Sequence, residues 1–168
     1  MPDFSERSDK IEIMDDLHCD GEVVEQTLRE LDVINRWLGG NAITLTGLEW
    51  LIFKNKAHLA NKKIRLADIG CGGGDMLKCI HQWGLSKGIK FELIGIDANP
   101  NIVKYAQINC DGFDNIRFEC LDILSDDFQS REFDIIVSSL FFHHFHESEL
   151  IRLLRSLQNN ISLGLIVN

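Results

Sequence analysis

A chain of 168 residues, 45% of them hydrophobic, is sized for one compact unit with its own apolar core. Its formal charge of -9 works against a nucleic-acid partner, because neutralising phosphates needs clustered Lys and Arg. Five cysteines without a CxxC pair suit reduced thiols better than a disulfide framework or a zinc cage, and no run reaches the ~18 apolar residues of a membrane span.

Residues 1 to 20 are polar and without period, and read as a loose arm. From Gly21 a helical pattern begins, with Val24, Leu28, Leu31, Ile34 and Leu38 at spacings of three or four and Gly39-Gly40 as a left-handed stop. This stripe reads as core, interrupted by Asn35, Arg36 and Trp37, which could face a substrate. A second helix is predicted to open at Thr46-Gly47-Leu48-Glu49, which has capping-box spacing, and to carry Leu48, Leu51, Ile52 and Leu59 on one face. Residues 1–62 therefore read as an arm and two helices attached to the unit formed by residues 63–168.

After Lys63 short apolar runs alternate with helices of about three turns, the pattern of a parallel sheet covered on both faces. The predicted strands are 64–69, 91–96, 116–120, 133–138 and 163–167. Met76, Ile80 and Trp83 mark one intervening helix. Val103, Ala106 and Cys110 mark another, with Asn99 as its cap and Pro100 in its first turn. Leu150, Leu154, Leu157 and Ile161 mark the last.

The run LADIGCGGGDML, residues 66–77, sets a buried strand directly before a glycine cluster and a helix start, the place where open α/β sheets bind nucleotides. Gly70, Gly72 and Gly74 let the backbone turn and approach a ligand closely. A dinucleotide fingerprint anchored at Gly70 would need glycine at position 75, where Asp75 stands. A carboxylate there disfavours a pyrophosphate and hence NAD.

The run IRLADIGCGGGDML resembles the first motif of class I S-adenosylmethionine (SAM) dependent methyltransferases, and the ordered motifs that follow resemble the ubiquinone and menaquinone type and generic small-molecule members. The resemblance implies a Rossmann-like α/β fold with a mostly parallel sheet and helices on both faces, SAM as cofactor, and methyl transfer to a small molecule. It also implies a binding set. Asp68 would serve the methionine amino group, unless it only caps the glycine loop. Cys71 lies in the loop with Gly70, Gly72 and Gly74. Asp97, at the end of LIGIDANP, would accept from the ribose hydroxyls, or else cap the following turn, with Ala98 near the adenosine. Asp122 would accept from the adenine amino group, with Leu121 or Ile123 on the ring. Ser138 and Ser139 would sit near the methionine end.

A sulfonium is already an activated methyl donor, so few acids or bases are obligatory. His143 or His144, beyond the fourth strand, could act as a base, or could only hold the loop; His146 adds no clear metal-ligand spacing. No metal is expected. The implied setting is cytoplasmic, and a homo-oligomer is compatible with it. A SAM-binding module without catalysis is the competing reading. Family members usually have seven strands in the order 3-2-1-4-5-7-6, so an end at Val167-Asn168 leads us to expect a fragment of a longer chain.

Overall fold

The computed structural model describes residues 17, 19–59 and 62–168. The predicted arm lies outside the described residues except for Leu17, Cys19 and Asp20.

The elements in chain order are α1 (Glu22–Trp37), α2 (Gly40–Lys54), β1 (Ile64–Ile69), α3 (Asp75–Lys87), β2 (Phe91–Asp97), α4 (Pro100–Asn109), β3 (Ile116–Cys120), α5 (Asp126–Gln129), β4 (Phe133–Ser138), α6 (Glu147–Asn160) and β5 (Ile161–Val167). The strands form one sheet in the order β3-β2-β1-β4-β5, every pair parallel. This is the α/β architecture that the resemblance implies.

The strands follow the apolar runs because a strand covered on both faces has no polar side to show. In β1, Ile64 and Leu66 join Leu48, Leu77 and Ile80 in one core, beneath α2 and α3. Ala67 and Ile69 join Ile136, Phe128 and Leu157 in the other, beneath α5 and α6. Asp68 continues the Ile64-Leu66 row and so points to the α2/α3 face at the strand's C-terminal end.

Three helical boundaries differ from the predictions: Ile161, read as part of the last helix, instead opens β5 because α6 ends at Asn160, and both ends of the second helix are displaced. The second helix begins at Gly40, six residues before Thr46, and ends at Lys54, short of Leu59. Gly39 alone takes the left-handed conformation (φ 82°), and the chain re-enters a helix at once. Thr46 is therefore interior, its hydroxyl donating to the Ala42 carbonyl (2.8 Å). In α1 only Val24 and Leu28 are buried, while Leu38 is 81% exposed. Periodicity shows which residues share a face, not how far along the axis a neighbour extends.

At the N-terminal end of β4, Asp134 ties three segments together. Its carboxylate accepts from the Arg65 amide (2.9 Å), Lys62 Nζ (3.1 Å) and Ser162 Oγ (3.0 Å). Partial burial pushes its pKa up, but these donors outweigh burial and hold it below the usual carboxylate value. Asn160, where α6 meets β5, donates from Nδ2 to the carbonyls of Phe128, Gln129 and Arg131 and fixes α5 beside α6.

Candidate cofactor cleft

Strand order reverses between β1 and β4, so the connections leaving the two strands diverge and open a crevice at their C-terminal tips. A cleft of about 570 Å³ lies there, within the usual range for small-molecule sites. Its floor is the glycine loop, its sides are the turns after β2, β3 and β4, and its roof is α1.

The loop turns back on β2 through Gly70 and Cys71, whose amides both donate to the Ile96 carbonyl (2.9 and 3.1 Å). Gly70 has φ 68°, and a Cβ built there would stand 2.4 Å from the Phe141 ring, so glycine is required twice over. At Gly72 (φ 50°) a built Cβ would meet, among the described residues, only a Leu28 methyl, 3.3 Å away. Leu28 thus touches the loop as well as packing with Val24 and Ile102. Gly74 faces Phe118 and Cys110 instead and does not line the cleft.

Asp68 is 2% exposed and lines the cleft, yet no hydrogen bond or ion pair reaches its carboxylate among the described residues. Burial, and then the charge of Asp97, pushes its pKa up to about 8. Asp97 is half-buried at the tip of β2. It accepts from the Asn99 amide (3.0 Å) and the Gly72 amide (3.4 Å), but burial outweighs these bonds and raises its pKa as well. The Cys71 thiol is buried beside both acids. Burial first, then their charges, pushes it well above its ordinary value, so it is a protonated packing group.

Asp75, expected to repel a pyrophosphate, is instead paired with Lys78 (2.6 Å) and held by a hydrogen bond from the Asn109 side-chain amide (3.1 Å). Repulsion of a polyanion falls to Asp97, which lines the same cleft, and a polyanion would further oppose ionisation of Asp68 beside it.

Ala98, Leu121, Asp122 and Ile123 line the far end. Asp122 is exposed, and its Oδ1 accepts from the Leu124 amide (2.8 Å), which closes a short turn. Ser138 is placed elsewhere: its hydroxyl is buried and donates to the Ile69 carbonyl (3.1 Å), joining β4 to β1 outside the cleft lining. Its neighbour Ser139 lines the cleft, and its Oγ is buried with no hydrogen-bond partner among the described residues.

After Ser139 the chain turns through Leu140, the one described non-glycine residue with a positive φ (53°), and lays Phe141 on Gly70. His143 and His144 follow on a short 3-10 turn (Phe142–His144), ring centroids 4.0 Å apart, both on the cleft lip. His146 caps α6 in a box with Glu149.

Sequence patterns did not single out the seating of Phe141 on Gly70 or the reach of Asn99. Asn99 caps α4 through Oδ1 (2.8 Å to the Asn101 amide) and donates from Nδ2 to the Cys19 carbonyl (3.0 Å). That bond spans 80 residues and ties the segment before α1 to the turn after Asp97.

A family model described as a methyltransferase domain matches residues 66–162. The carboxy-S-adenosyl-L-methionine synthase of Helicobacter pylori strain Shi470 is 30% identical over 115 residues, which are 68% of this chain and 46% of that protein. Its counterpart in strain P12 is 31% identical over 97 residues, 58% of this chain and 38% of that one. The chain thus spans about half the length of the curated relatives it matches.

Among solved structures, the plantazolicin methyltransferase BpumL, in complex with a pentazolic desmethylPZN analog and SAH, superposes with a TM-score of 0.58 at 23% identity. The match covers 83% of this chain and 48% of that one. The DszA carbon methyltransferase gives a TM-score of 0.61 at 19% identity, over 73% and 32%. At these identities the likeness shows the fold.

Proposed function

This chain belongs to the methyltransferase domain family, and from that premise we propose that it binds SAM and transfers the methyl group to a small-molecule acceptor. One observation carries the reading: the buried carboxylate of Asp68 faces a cleft with no partner among the described residues, beside a second acid on the next strand. A buried, unpaired carboxylate is costly, and a cationic ligand removes the cost. SAM brings an ammonium and a sulfonium; a dinucleotide would bring a pyrophosphate against the same two acids.

The residues present fit the cofactor. Asp68 would accept from the methionine ammonium. A carboxylate has about four acceptor sites, so Asp97 keeps acceptor capacity for the ribose hydroxyls after serving the Asn99 and Gly72 amides. Gly72 leaves open space over the loop, and Leu121 and Ile123 offer an apolar bed for the adenine, with Ala98 and Asp122 at its edge. Gly70, Cys71 and Gly74 shape the turn, and Ser138 locks β4 to β1 beneath it.

Bound there, SAM supplies a methyl group already activated by the sulfonium. The protein has then to hold an acceptor in line, exclude water and take up a proton from an O–H or N–H acceptor. Leu28, Leu140 and Phe141 would supply the apolar walls, and His143 or His144, which also line the cleft, would receive the proton. The test is calorimetric titration with SAM, paired with mass-spectrometric detection of methylated products from a metabolite panel. Tight binding with a product is the expected result; an empty cleft at saturating SAM contradicts the proposal.

A further inference from the structure

The two ends of the cleft differ in what they leave unpaired. Helix α1 starts against α4, through Val24 and Ile102, and crosses the glycine loop at Leu28. Asn35 lies two turns further, about 10 Å along the axis. There a chain of contacts leads back to the tip of β4. The Asn35 Oδ1 lies against Gly40, the Gly40 carbonyl accepts from Asn168 Nδ2 (2.8 Å), and the Asn168 backbone bonds both Ser138 (3.0 Å) and Leu140 (2.9 Å). Asn35 and Ser139 therefore share the end of the cleft away from the adenosine turn.

Both have unused hydrogen-bonding groups. Ser139 Oγ is buried without a partner, and no hydrogen bond reaches the Asn35 amide among the described residues. One turn before Asn35, Asp32 lines the same cleft and gives one oxygen to Arg36 Nε (3.0 Å), leaving the other. A buried hydroxyl without a partner costs free energy until a ligand supplies one.

Charge narrows the class of ligand. Asp97 and Asp122 line the cleft with no cationic partner among the described residues, and no described Lys or Arg lines it; Arg36 and Lys78 are drawn aside onto Asp32 and Asp75, which also line it. In a partly water-excluding cleft such a field is weakly screened and opposes a second anion.

We propose that Asp32, Asn35 and Ser139 recognise the methyl acceptor, and that it is a neutral or cationic molecule bearing a hydroxyl or amine, not a carboxylate or phosphate. Leu31, Leu140 and Phe141 supply an apolar wall for its body. This rests on the methyltransferase reading and assigns the acceptor's chemistry within it.

The test uses three probes that share one ring, benzyl alcohol, benzylamine and benzoate, titrated by ligand-observed NMR into the chain saturated with S-adenosylhomocysteine. The alcohol and the amine should bind about tenfold or more tightly than benzoate. Asp32→Asn should weaken benzylamine several-fold with S-adenosylhomocysteine affinity unchanged, and Ser139→Ala should weaken benzyl alcohol. Thermal melting of each variant verifies that it is folded. Benzoate binding as tightly as the amine, binding of none of the three, or no effect in both variants overturns the proposal. Failure of the chain to bind S-adenosylhomocysteine would instead overturn the methyltransferase reading.

Discussion

Aspartates stand at both ends of the sheet, and their surroundings are opposite. At the N-terminal end of β4, Asp134 has three donors and a lowered pKa, whereas at the C-terminal tips Asp68 is buried and Asp97 half-buried, both with raised pKa values. The first is spent on holding strands together. Asp68 gains nothing from the fold, and Asp97 has acceptor sites to spare, which is what a site prepared for a cationic, hydroxyl-bearing ligand requires.

The largest expected effect breaks the structural end. Asp134→Ala should cost about 2 to 3 kcal/mol of folding stability, because it strands the Arg65 amide and removes a charge-assisted bond, while SAM affinity holds. Chemical denaturation of wild type and variant measures this. Because the folded pKa of Asp134 lies below the unfolded value of about 3.9, its contribution is complete above that value and is lost as pH falls through the folded one. The stability difference between wild type and variant should therefore shrink in acid.

Asp97→Ala should do the reverse: weaken SAM by about 1 to 3 kcal/mol through loss of charge-assisted bonds, at a smaller cost to folding, since relief of its buried charge offsets the lost Gly72 and Asn99 amide bonds. Unchanged affinity in a folded variant would remove Asp97 from the site. Asp68→Asn sharpens the contrast in the ligand-free protein. With a folded pKa near 8 against an unfolded value of about 3.9, Asp68 makes wild-type stability fall as pH rises between the two. The Asn variant should lack that slope and melt higher than wild type at pH 8 to 9. An Asp68 that steadies the loop would give the opposite order.

The smallest effect concerns a helix boundary. As an N-cap, Thr46 would be worth about 1 kcal/mol, but inside α2, bonded to Ala42, its replacement by Ala should change stability by only a few tenths, in the stabilising direction. A loss near 1 kcal/mol would restore the later start.

The five strands were legible because runs such as Ile64 to Ile69 are apolar on both faces and bounded by turn residues, a local signal. Asp68, Gly70 and Asp97 were legible for a related reason: strand ends fix which residues meet the crevice. The start of α2 was not, since Gly39-Gly40 reads as a stop whether or not the chain re-enters a helix beyond it. Ser138 and Ser139 could not be told apart by position, because which hydroxyl turns to Ile69 depends on strand parity at the tip of β4. Asn35 and Phe141 reach the cleft only through packing between segments far apart in sequence, and no spacing rule encodes that.

The central claim is that Asp68 waits, protonated or costly, for a cation. Calorimetric titration with SAM near pH 6.5, in buffers of different ionisation enthalpy, tests it most directly. Since Asp68 holds its proton at that pH in the free protein, binding should release close to one proton per SAM, and Asp68→Asn should abolish the release. Binding without proton release in wild type, or the same release in the variant, would contradict the account.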